Sequence, residues 1–161
     1  MQSMDEIYQQ HASMVYRYIF ARIRNVDIAE EITQETFYQA IRCSSKFDGS
    51  CKVSTWLCAI ARNQLAAYLR KNHIHEDWEQ AELTSDSAED DYLVKASQLS
   101  LLKQLHSISD PYREVLYLRV FGELSFKEIG EIMEKSENWA RVTFYRGKEK
   151  LREKMMKKEE S

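Results

Sequence analysis

The chain has 161 residues, of which 43% are hydrophobic and 30% are charged, with a formal net charge of −3 at pH 7. This length allows one domain or two small ones. One proline and four glycines argue against a β-rich fold with many turns, and long stretches keep helical periodicity, so we predict an all-α fold. The N-terminus lacks the basic start and apolar centre of a signal peptide, and no apolar run approaches the roughly 20 residues of a membrane span. We therefore expect a cytoplasmic protein without membrane insertion.

Charge is unevenly distributed along the chain. Residues 135–158 contain nine Lys or Arg and three Glu, a local balance of 9 − 3 = +6. Residues 76–91 contain eight Asp or Glu and no Lys or Arg. Because the apolar pattern is also lost there, we interpret residues 75–91 as an acidic linker between a domain at 1–74 and a domain at 92–161. A basic segment beside an acidic one points to a surface that binds nucleic acid.

The cysteines and histidines give no sign of a cofactor or metal. Cys43, Cys51 and Cys58 lack the close paired spacing of a zinc site or a redox pair, and three unpaired thiols fit a reducing cytosol. His73 and His75 alone are too few ligands for a metal site. We predict no cofactor, no metal and no catalytic residue, since a metal- or thiol-dependent enzyme would need a convergent cluster.

Two helices are predicted first in the N-terminal domain, at residues 4–24 and from 27 onward. Asp27 stands where an N-cap would, and an apolar stripe faces inward from the second helix: Ile28, Ile32, Phe37, Ala40 and Ile41. An acidic and amide face points outward. Acidic residues in the first turn favour a helix through its dipole, but that benefit fades beyond the first turn. The dipole therefore explains Gln34 and Glu35 less well than the first two acidic residues.

A loop and a third helix complete the N-terminal domain. The loop at residues 46–54 contains the turn dipeptide Asp48-Gly49, and the helix covers residues 53–71. Basic, amide and aromatic side chains beside a loop suit single-stranded nucleic acid, because aromatic rings hold unstacked bases while cations follow the phosphates. Tryptophan is more often buried in a hydrophobic core than exposed to stack on bases. A core position is therefore the alternative for Trp56.

The C-terminal domain begins with an amphipathic helix at residues 92–106. Ser109-Asp110-Pro111 is a helix start with proline at the first helical position, which predicts a helix at 111–121. Residues 124–152 then give two helices joined by a tight turn at 134–136. A mid-helix glycine costs about 1 kcal/mol relative to alanine, so Gly130 suggests that another helix crosses closely there.

The last predicted helix has two distinct faces. Ser136 is its candidate N-cap, and Ala140, Phe144, Gly147 and Leu151 fall on one inward stripe. A basic stripe points outward and contains Arg141, Tyr145, Lys148 and Arg152. This pattern predicts a helix-turn-helix that places its second helix in a DNA major groove, although an ordinary helical bundle has the same periodicity.

Several segments resemble one known family. Residues 27–37 (DIAEEITQETF) resemble the core-polymerase-binding signature of bacterial extracytoplasmic-function (ECF) sigma factors. Residues 47–49 (FDG), 55–57 (TWL) and 60–63 (IARN) resemble the family's next segment, and residues 112–115 (YREV) and 124–132 (LSFKEIGEI) resemble its C-terminal domain. The resemblance covers nearly the whole chain in the family's order.

The resemblance implies a protein of two helical domains, without catalytic activity, that directs RNA polymerase core to promoters. Residues that would dock on the polymerase are Asp27, Glu30, Glu31, Gln34 and Glu35. Residues that would recognise and melt the −10 element are Lys52, Ser54, Trp56, Arg62, Asn63 and Arg70. Residues that would contact the −35 element are Ser136, Asn138, Arg141, Val142, Tyr145, Arg146 and Lys148. An anti-sigma factor is an expected further partner.

The turn of the helix-turn-helix departs from the family pattern. Glu134 and Lys135 stand where the family usually has glycine and an apolar residue, and Trp139 replaces a small polar residue. We therefore expect an altered turn, or packing supplied by Trp139 instead. A stand-alone dimeric helix-turn-helix regulator with a palindromic site is the alternative, but it gives the acidic face no role.

Overall fold

The computed structural model describes residues 2–72 and 99–160, and over these ranges the chain is helical without a strand. The predicted all-α fold is confirmed. The helices are α1 (Met4–Ile23), α2 (Val26–Arg42), α3 (Val53–Asn72), α4 (residues 99–106), α5 (Tyr112–Val120), α6 (Phe126–Met133) and α7 (Glu137–Glu160), with a short 3-10 helix at Ser44–Lys46. The predicted acidic linker and the predicted start of α4 at residue 92 lie outside the described residues.

Side-chain caps determine where the first two helices begin. Ser3 accepts a hydrogen bond from the backbone N–H of Glu6 at 3.2 Å, and the Asn25 side chain accepts from the N–H of Ile28 at 3.0 Å. The prediction of Asp27 as the N-cap of α2 was therefore wrong. Asn and Asp cap helices about equally well, so the residue types could not decide between them.

The apolar faces of α1, α2 and α3 pack together as the N-terminal domain. The predicted inward residues of α2 are buried or half-buried, except that Ile41 is 55% exposed. Ile41 lies on the inward stripe but in the last turn of α2. Helical periodicity predicts on which side of a helix a residue lies. It does not predict whether a neighbouring helix extends far enough to cover that residue.

The C-terminal domain packs α5 and α6 against α7. Pro111 caps α5 rather than forming its first turn, and α7 continues past the predicted end at residue 152 to Glu160. One cluster of buried residues joins the two domains, because it includes Val15 and Leu57 as well as Tyr117 and Ile129. Helix α1 contacts α5, and α3 contacts α6.

Candidate nucleic-acid interface

The turn between α6 and α7 is tight and locally strained. Glu134 has φ 58° and ψ 43°, in the left-handed region, and the backbone N–H of Lys135 donates to the carbonyl of Gly130 at 2.8 Å. A Cβ on Gly130 would lie 2.7 Å from the Lys135 carbonyl and 2.9 Å from that of Ser136. The close approach predicted at Gly130 exists, but the turn backbone makes it rather than another helix.

Helix α7 begins at the predicted cap and presents a polar face to solvent. The Ser136 hydroxyl accepts from the Trp139 N–H at 3.0 Å. The residues predicted to contact the −35 element are all classed as exposed: Ser136, Asn138, Arg141, Val142, Tyr145, Arg146 and Lys148. The guanidinium of Arg141 lies 3.3 Å from the Glu137 carboxylate, and Tyr145 is 56% exposed. The structure thus brings these predicted residues together on one helix.

An aromatic cluster supports this exposed face. The Phe144 ring lies 5.4 Å from that of Phe126 and 5.3 Å from that of Tyr145, between centroids. The guanidinium of Arg119 sits 4.3 Å from the Phe126 centroid and donates to the carbonyl of Leu124 at 2.8 Å. Sequence reasoning missed Arg119, because nothing in the periodicity of α5 indicates which ring it will contact.

The acidic face of α2 is open to solvent. Its predicted residues are all exposed: Asp27, Glu30, Glu31, Gln34 and Glu35. A groove of about 630 Å³ runs between α1 and α2 and is lined by Tyr8, Tyr16, Glu30 and Gln34, among others. Tyr38 is 55% exposed on the same helix. The surface is therefore a mixture of acidic and apolar groups, a combination suited to binding another protein.

The residues predicted to contact the −10 element have different surroundings. Trp56 is half-buried, with its ring centroid 4.8 Å from that of Phe47. Ser54 is half-buried, and Asn63 and Arg70 are exposed. The structure places Lys52, Arg62 and Asn63 on the side that faces the C-terminal domain.

Two carboxylates of the C-terminal domain reach that surface. Glu114 is 5% exposed, and its Oε1 lies 3.3 Å from Arg62 Nε. The hydroxyl of Tyr18 donates to the same oxygen at 2.5 Å, and Arg22 donates to Oε2. Burial, reinforced by the charge of Glu114, holds the pKa of Tyr18 well above its usual value, so this phenol is neutral and a donor.

The second carboxylate is Glu128, near the start of α6. Thr55 donates a hydrogen bond to its Oε2, and Lys52 Nζ lies 3.7 Å from Oε1. Burial alone would raise the pKa of Glu128, but hydrogen bonds from Thr55 and Ser125 and the charge of Lys52 outweigh it, so its pKa lies below the ordinary value. Sequence reasoning missed both carboxylates. For Glu114 a signal existed, since it shares a helical stripe with Tyr117 and Leu118.

The described residues contain no group of three or more His, Cys, Asp or Glu arranged to hold a metal ion. Burial, followed by the charges of Glu128 and Glu114, raises the pKa of the Cys58 thiol to about 12. Its sulfur lies 3.5 Å from that of Met14, so Cys58 is a neutral packing residue. Within the parts of the chain that the structure describes, no helix is both long and apolar enough to cross a bilayer.

Two compact helical domains with an exposed, basic second helix of a helix-turn-helix define a DNA-binding class of protein. Family models identify the kind of DNA-binding protein more narrowly. Residues 7–73 match the model of sigma-70 region 2, and residues 98–151 match that of sigma-70 region 4. The ECF RNA polymerase sigma factor SigM of Bacillus subtilis (strain 168) is 32% identical over 154 residues, which is 93% of each chain. The RNA polymerase sigma factor CarQ of Myxococcus xanthus is 30% identical over 94% of this chain and 88% of that protein. The chain belongs to the family of ECF RNA polymerase sigma factors, and its role is that of a sigma factor.

Solved structures share the fold at lower sequence identity. CnrH, in complex with the cytosolic domain of CnrY, superposes with a TM-score of 0.73 at 15% identity and covers 94% of this chain and 86% of that chain. The sigma factor RpoE from Bartonella quintana, in complex with the anti-sigma factor NepR, gives a TM-score of 0.73 at 17% identity, covering 92% of this chain and 94% of that chain. The family assignment selects the sigma-factor function over the stand-alone regulator that the sequence left open.

Proposed function

We propose that this sigma factor has two domains, at residues 1–74 and 92–161, and that it binds its partners through three surfaces on them. An acidic face on α2 binds core polymerase, the loop and first turns of α3 act on the −10 element, and α7 reads the −35 element. The observation that carries the proposal is the pairing of two exposed surfaces of opposite charge, acidic on α2 and basic on α7. A factor that must hold a protein with one domain and DNA with the other needs this separation.

The polymerase-binding surface consists of Asp27, Glu30, Glu31, Gln34 and Glu35. These carboxylates and the amide are solvated, and complementary charge steers the approach of a basic partner helix and fixes its register. The exposed Tyr38 and the groove beside α1 add apolar area at which such a partner can anchor. Sigma factors act in initiation without catalysing a reaction, and we propose that this chain likewise has no catalytic activity.

The −35 surface consists of residues in the first half of α7. Arg141 and Tyr145 contact base edges, and Arg146 and Lys148 contact phosphates. Arginine pairs bidentately with guanine in the major groove, whereas lysine neutralises phosphate without reading sequence. The partly exposed Val142 and the polar Ser136 and Asn138 complete the surface.

The −10 surface combines Lys52, Ser54, Trp56, Arg62, Asn63 and Arg70. Base extrusion costs a few kcal/mol, and contacts between phosphates and Lys52, Arg62 and Arg70 help to offset it. Because polymerase and promoter are its partners, we expect the protein to act in the cytoplasm. An anti-sigma factor that covers the polymerase-binding and DNA-binding surfaces is the partner expected to control it.

Run-off transcription with bacterial core polymerase tests the proposal. Purified wild-type protein should give specific transcripts from a subset of genomic templates and form a stable complex with core. The proposal would be wrong if no template gave a transcript and no complex formed.

A charge-reversed variant tests the polymerase-binding surface. Glu31→Lys with Glu35→Lys should abolish binding to core while circular dichroism shows an unchanged helical content. Glu149→Lys with Glu153→Lys, which makes the same charge change on α7, should leave binding to core intact. Unchanged promoter activity in the α2 variant would instead favour a stand-alone regulator, which should also be dimeric and bind a palindrome.

A further inference from the structure

Arg141, the proposed reader of a −35 base, contacts two groups of its own domain. Its guanidinium lies 3.3 Å from the Glu137 carboxylate and 5.4 Å from the centroid of the Phe126 ring. An exposed ion pair between long side chains contributes little by itself. The Phe126 ring belongs to another helix, α6, so its contact fixes the direction of the Arg141 side chain relative to the whole domain and not only along α7.

Two contacts fix Phe126 at the start of α6. The hydroxyl of Ser125 accepts a hydrogen bond from the backbone N–H of Glu128 at 3.1 Å, which caps the helix one residue before Phe126. Arg119 of α5 donates to the carbonyl of Leu124 at 2.8 Å and places its guanidinium 4.3 Å from the centroid of the Phe126 ring. Because a cation is attracted to the face of an aromatic ring, Arg119 holds both the ring and the chain that precedes it.

Two further rings extend the contact of Phe126 along α7. The centroid of the Phe126 ring lies 5.4 Å from that of Phe144 and 6.2 Å from that of Tyr145. The rings of Phe144 and Tyr145 meet edge to face at 5.3 Å, an arrangement that favours aromatic pairs. Lys148 lies 5.7 Å from both α7 rings, whereas Arg141 lies against Phe126. The proposed base-reading cation and the proposed phosphate-binding cation therefore rest on different members of one aromatic group.

We propose that Phe126 is a positioning residue for base readout, because its ring presets the direction from which the Arg141 guanidinium reaches a −35 base. An arginine loses rotamer freedom when it binds, and a side chain that is already ordered in the free protein loses less. The benefit depends on the geometry of one base contact, so it is realised as discrimination between bases rather than as general affinity for DNA. The inference rests on the proposed −35 role of Arg141 and adds a residue of α6 to those that determine base choice.

Affinities of the full-length chain for a set of −35 duplexes, each with one changed base pair, test this role by fluorescence anisotropy. Phe126→Leu keeps an apolar side chain but removes the ring. At the position where Arg141→Ala relaxes base choice, discrimination by Phe126→Leu should fall about two- to fivefold, the worth of an exposed cation–π contact. The salt dependence of affinity should not change, because the phosphate contacts remain. An equal loss of affinity on every duplex would overturn the inference, since a residue needed only for packing would act in that way.

A double-mutant cycle separates positioning from a direct contact between Phe126 and DNA. In a chain that carries Arg141→Ala, adding Phe126→Leu should cause no further loss of discrimination, because the side chain that the ring positions is gone. Full additivity of the two losses would overturn the inference, since the ring would then act on DNA independently. If Arg141→Ala leaves base choice unchanged, the base-reading role and the inference both fail. If Arg141→Ala relaxes base choice and Phe126→Leu does not, the inference alone fails.

Matched variants control for lost packing. Phe126→Tyr retains the ring and should retain base choice. Phe121→Leu removes a half-buried ring of the same domain, which lies 5.8 Å from the Tyr117 ring between centroids, and should leave base choice unchanged. Phe126→Met, whose unbranched side chain fills irregular space, replaces the leucine variant if that variant does not fold. A loss of base choice in Phe121→Leu or Phe126→Tyr as large as that in Phe126→Leu would overturn the inference.

The order of the Arg141 side chain in the free protein is measured by NMR. The ring current shields protons that lie over the face of an aromatic ring. The Hε proton of Arg141, identified by its loss in Arg141→Ala, should therefore resonate upfield in the wild type and in Phe126→Tyr. In Phe126→Leu it should move to the position of an exposed arginine. The same Hε shift in the wild type and in Phe126→Leu would contradict a preset guanidinium.

Discussion

The two proposed DNA-binding surfaces are built from the same residue types but differ in what surrounds them. On α7, Arg141 and Tyr145 are exposed and supported from below by aromatic rings. At α3, Arg62 is partly covered and lies beside Glu114, a residue separated from α1 and α3 by a long stretch of chain. The first surface is exposed in this arrangement of the domains, whereas in the second Arg62 is paired with a carboxylate of the other domain.

This difference teaches that a cation on a helix is not by itself an available binding group. Arg62 is paired with a carboxylate from another domain, Glu114. Arg141 forms its ion pair with Glu137, one turn earlier on its own helix, and lies 5.4 Å from the centroid of the Phe126 ring. An exposed pair of that kind contributes little and is readily exchanged. Variants of α7, of Cys58 and Glu128, and of the turn before α7 separate these two situations.

The largest effect is expected on the proposed −35 surface of α7. Arg141→Ala should relax base choice at one −35 position, at a cost of about 1–3 kcal/mol. Lys148→Ala should weaken binding to all sequences alike and reduce the salt dependence of binding. Affinities for a panel of −35 duplexes, measured at two salt concentrations, distinguish the two. Equal loss on every duplex from Arg141→Ala would exclude its role in base readout.

Cys58 is a buried thiol of α3 that senses the carboxylates Glu128 and Glu114. Burial and two carboxylates raise the pKa of Cys58 to about 12, so its reactive thiolate is scarce at pH 8. The greater nucleophilicity of a basic thiolate recovers only part of that loss. We expect Cys58 to react at least about tenfold more slowly than Cys43 with a chromogenic disulfide reagent.

Variants that each retain one cysteine allow this comparison. Adding Glu114→Gln and Glu128→Gln to the chain that retains Cys58 should accelerate its reaction, because both carboxylates contribute to the raised pKa. Equal rates for Cys43 and Cys58 would show that the thiol is not shielded as the structure indicates.

Acid should weaken the contact that Glu128 makes with Thr55 and Lys52. Its pKa is lower in the folded protein than in the unfolded chain, so its stabilising contribution is present above the ordinary value of about 4.3 and is lost as the pH falls through the lowered value. The neighbouring cation is Lys52, and the nearby thiols of Cys51 and Cys58 have raised pKa values and stay neutral.

Urea unfolding of Glu128→Gln and wild type at several pH values measures this contribution. The variant should be less stable by about 1 kcal/mol at pH 7, the usual net value of one hydrogen bond. This difference should vanish in acid. Glu149→Gln serves as the control, because Glu149 pairs with Arg152 of its own helix. A difference that persisted unchanged in acid would contradict the role of the ionised carboxylate.

The smallest effect is expected at the turn between α6 and α7, where Glu134 has a left-handed backbone conformation. A non-glycine residue in the left-handed region costs about 1–2 kcal/mol, and glycine adds about 0.5–1 kcal/mol of unfolded-state entropy. Glu134→Gly should therefore stabilise the protein by about 0.5 kcal/mol, seen as a raised midpoint of urea unfolding. Glu131→Gly, within α6, should instead lower stability by about 1 kcal/mol. A loss of stability in Glu134→Gly would show that the Glu134 side chain makes a compensating contact.

Much of the fold was predictable because the inner and outer faces of a helix appear in the sequence as a periodic pattern of apolar and polar residues. Most of the inward stripe of α2 and the two faces of α7 follow directly from a period of 3.6 residues, and Ser136 caps α7 as its residue type indicates. Errors were local, at the cap of α2 and at the exposed Ile41. The first error arose because Asn25 and Asp27 are residue types that cap helices about equally well. The second arose because the burial of Ile41 depends on how far a neighbouring helix extends.

The exposed candidate residues on α2 and α7 could also be located from the sequence. A polar side chain on the outward stripe of a helix remains solvated unless another element covers it. That condition fails at α3, where Arg62 on the helix and Lys52 just before it both meet carboxylates of the other domain.

By itself, the sequence determined the helices, their inner and outer faces, and the acidic and basic surfaces of α2 and α7. Only the tertiary structure decided that Arg62 lies beside Glu114 and Lys52 beside Glu128. Tyr18 and Glu114 are 96 residues apart, and no helical period relates residues across such a distance. Local rules determine which groups face away from their own domain. The packing of one domain on another determines whether those groups meet solvent or opposite charge.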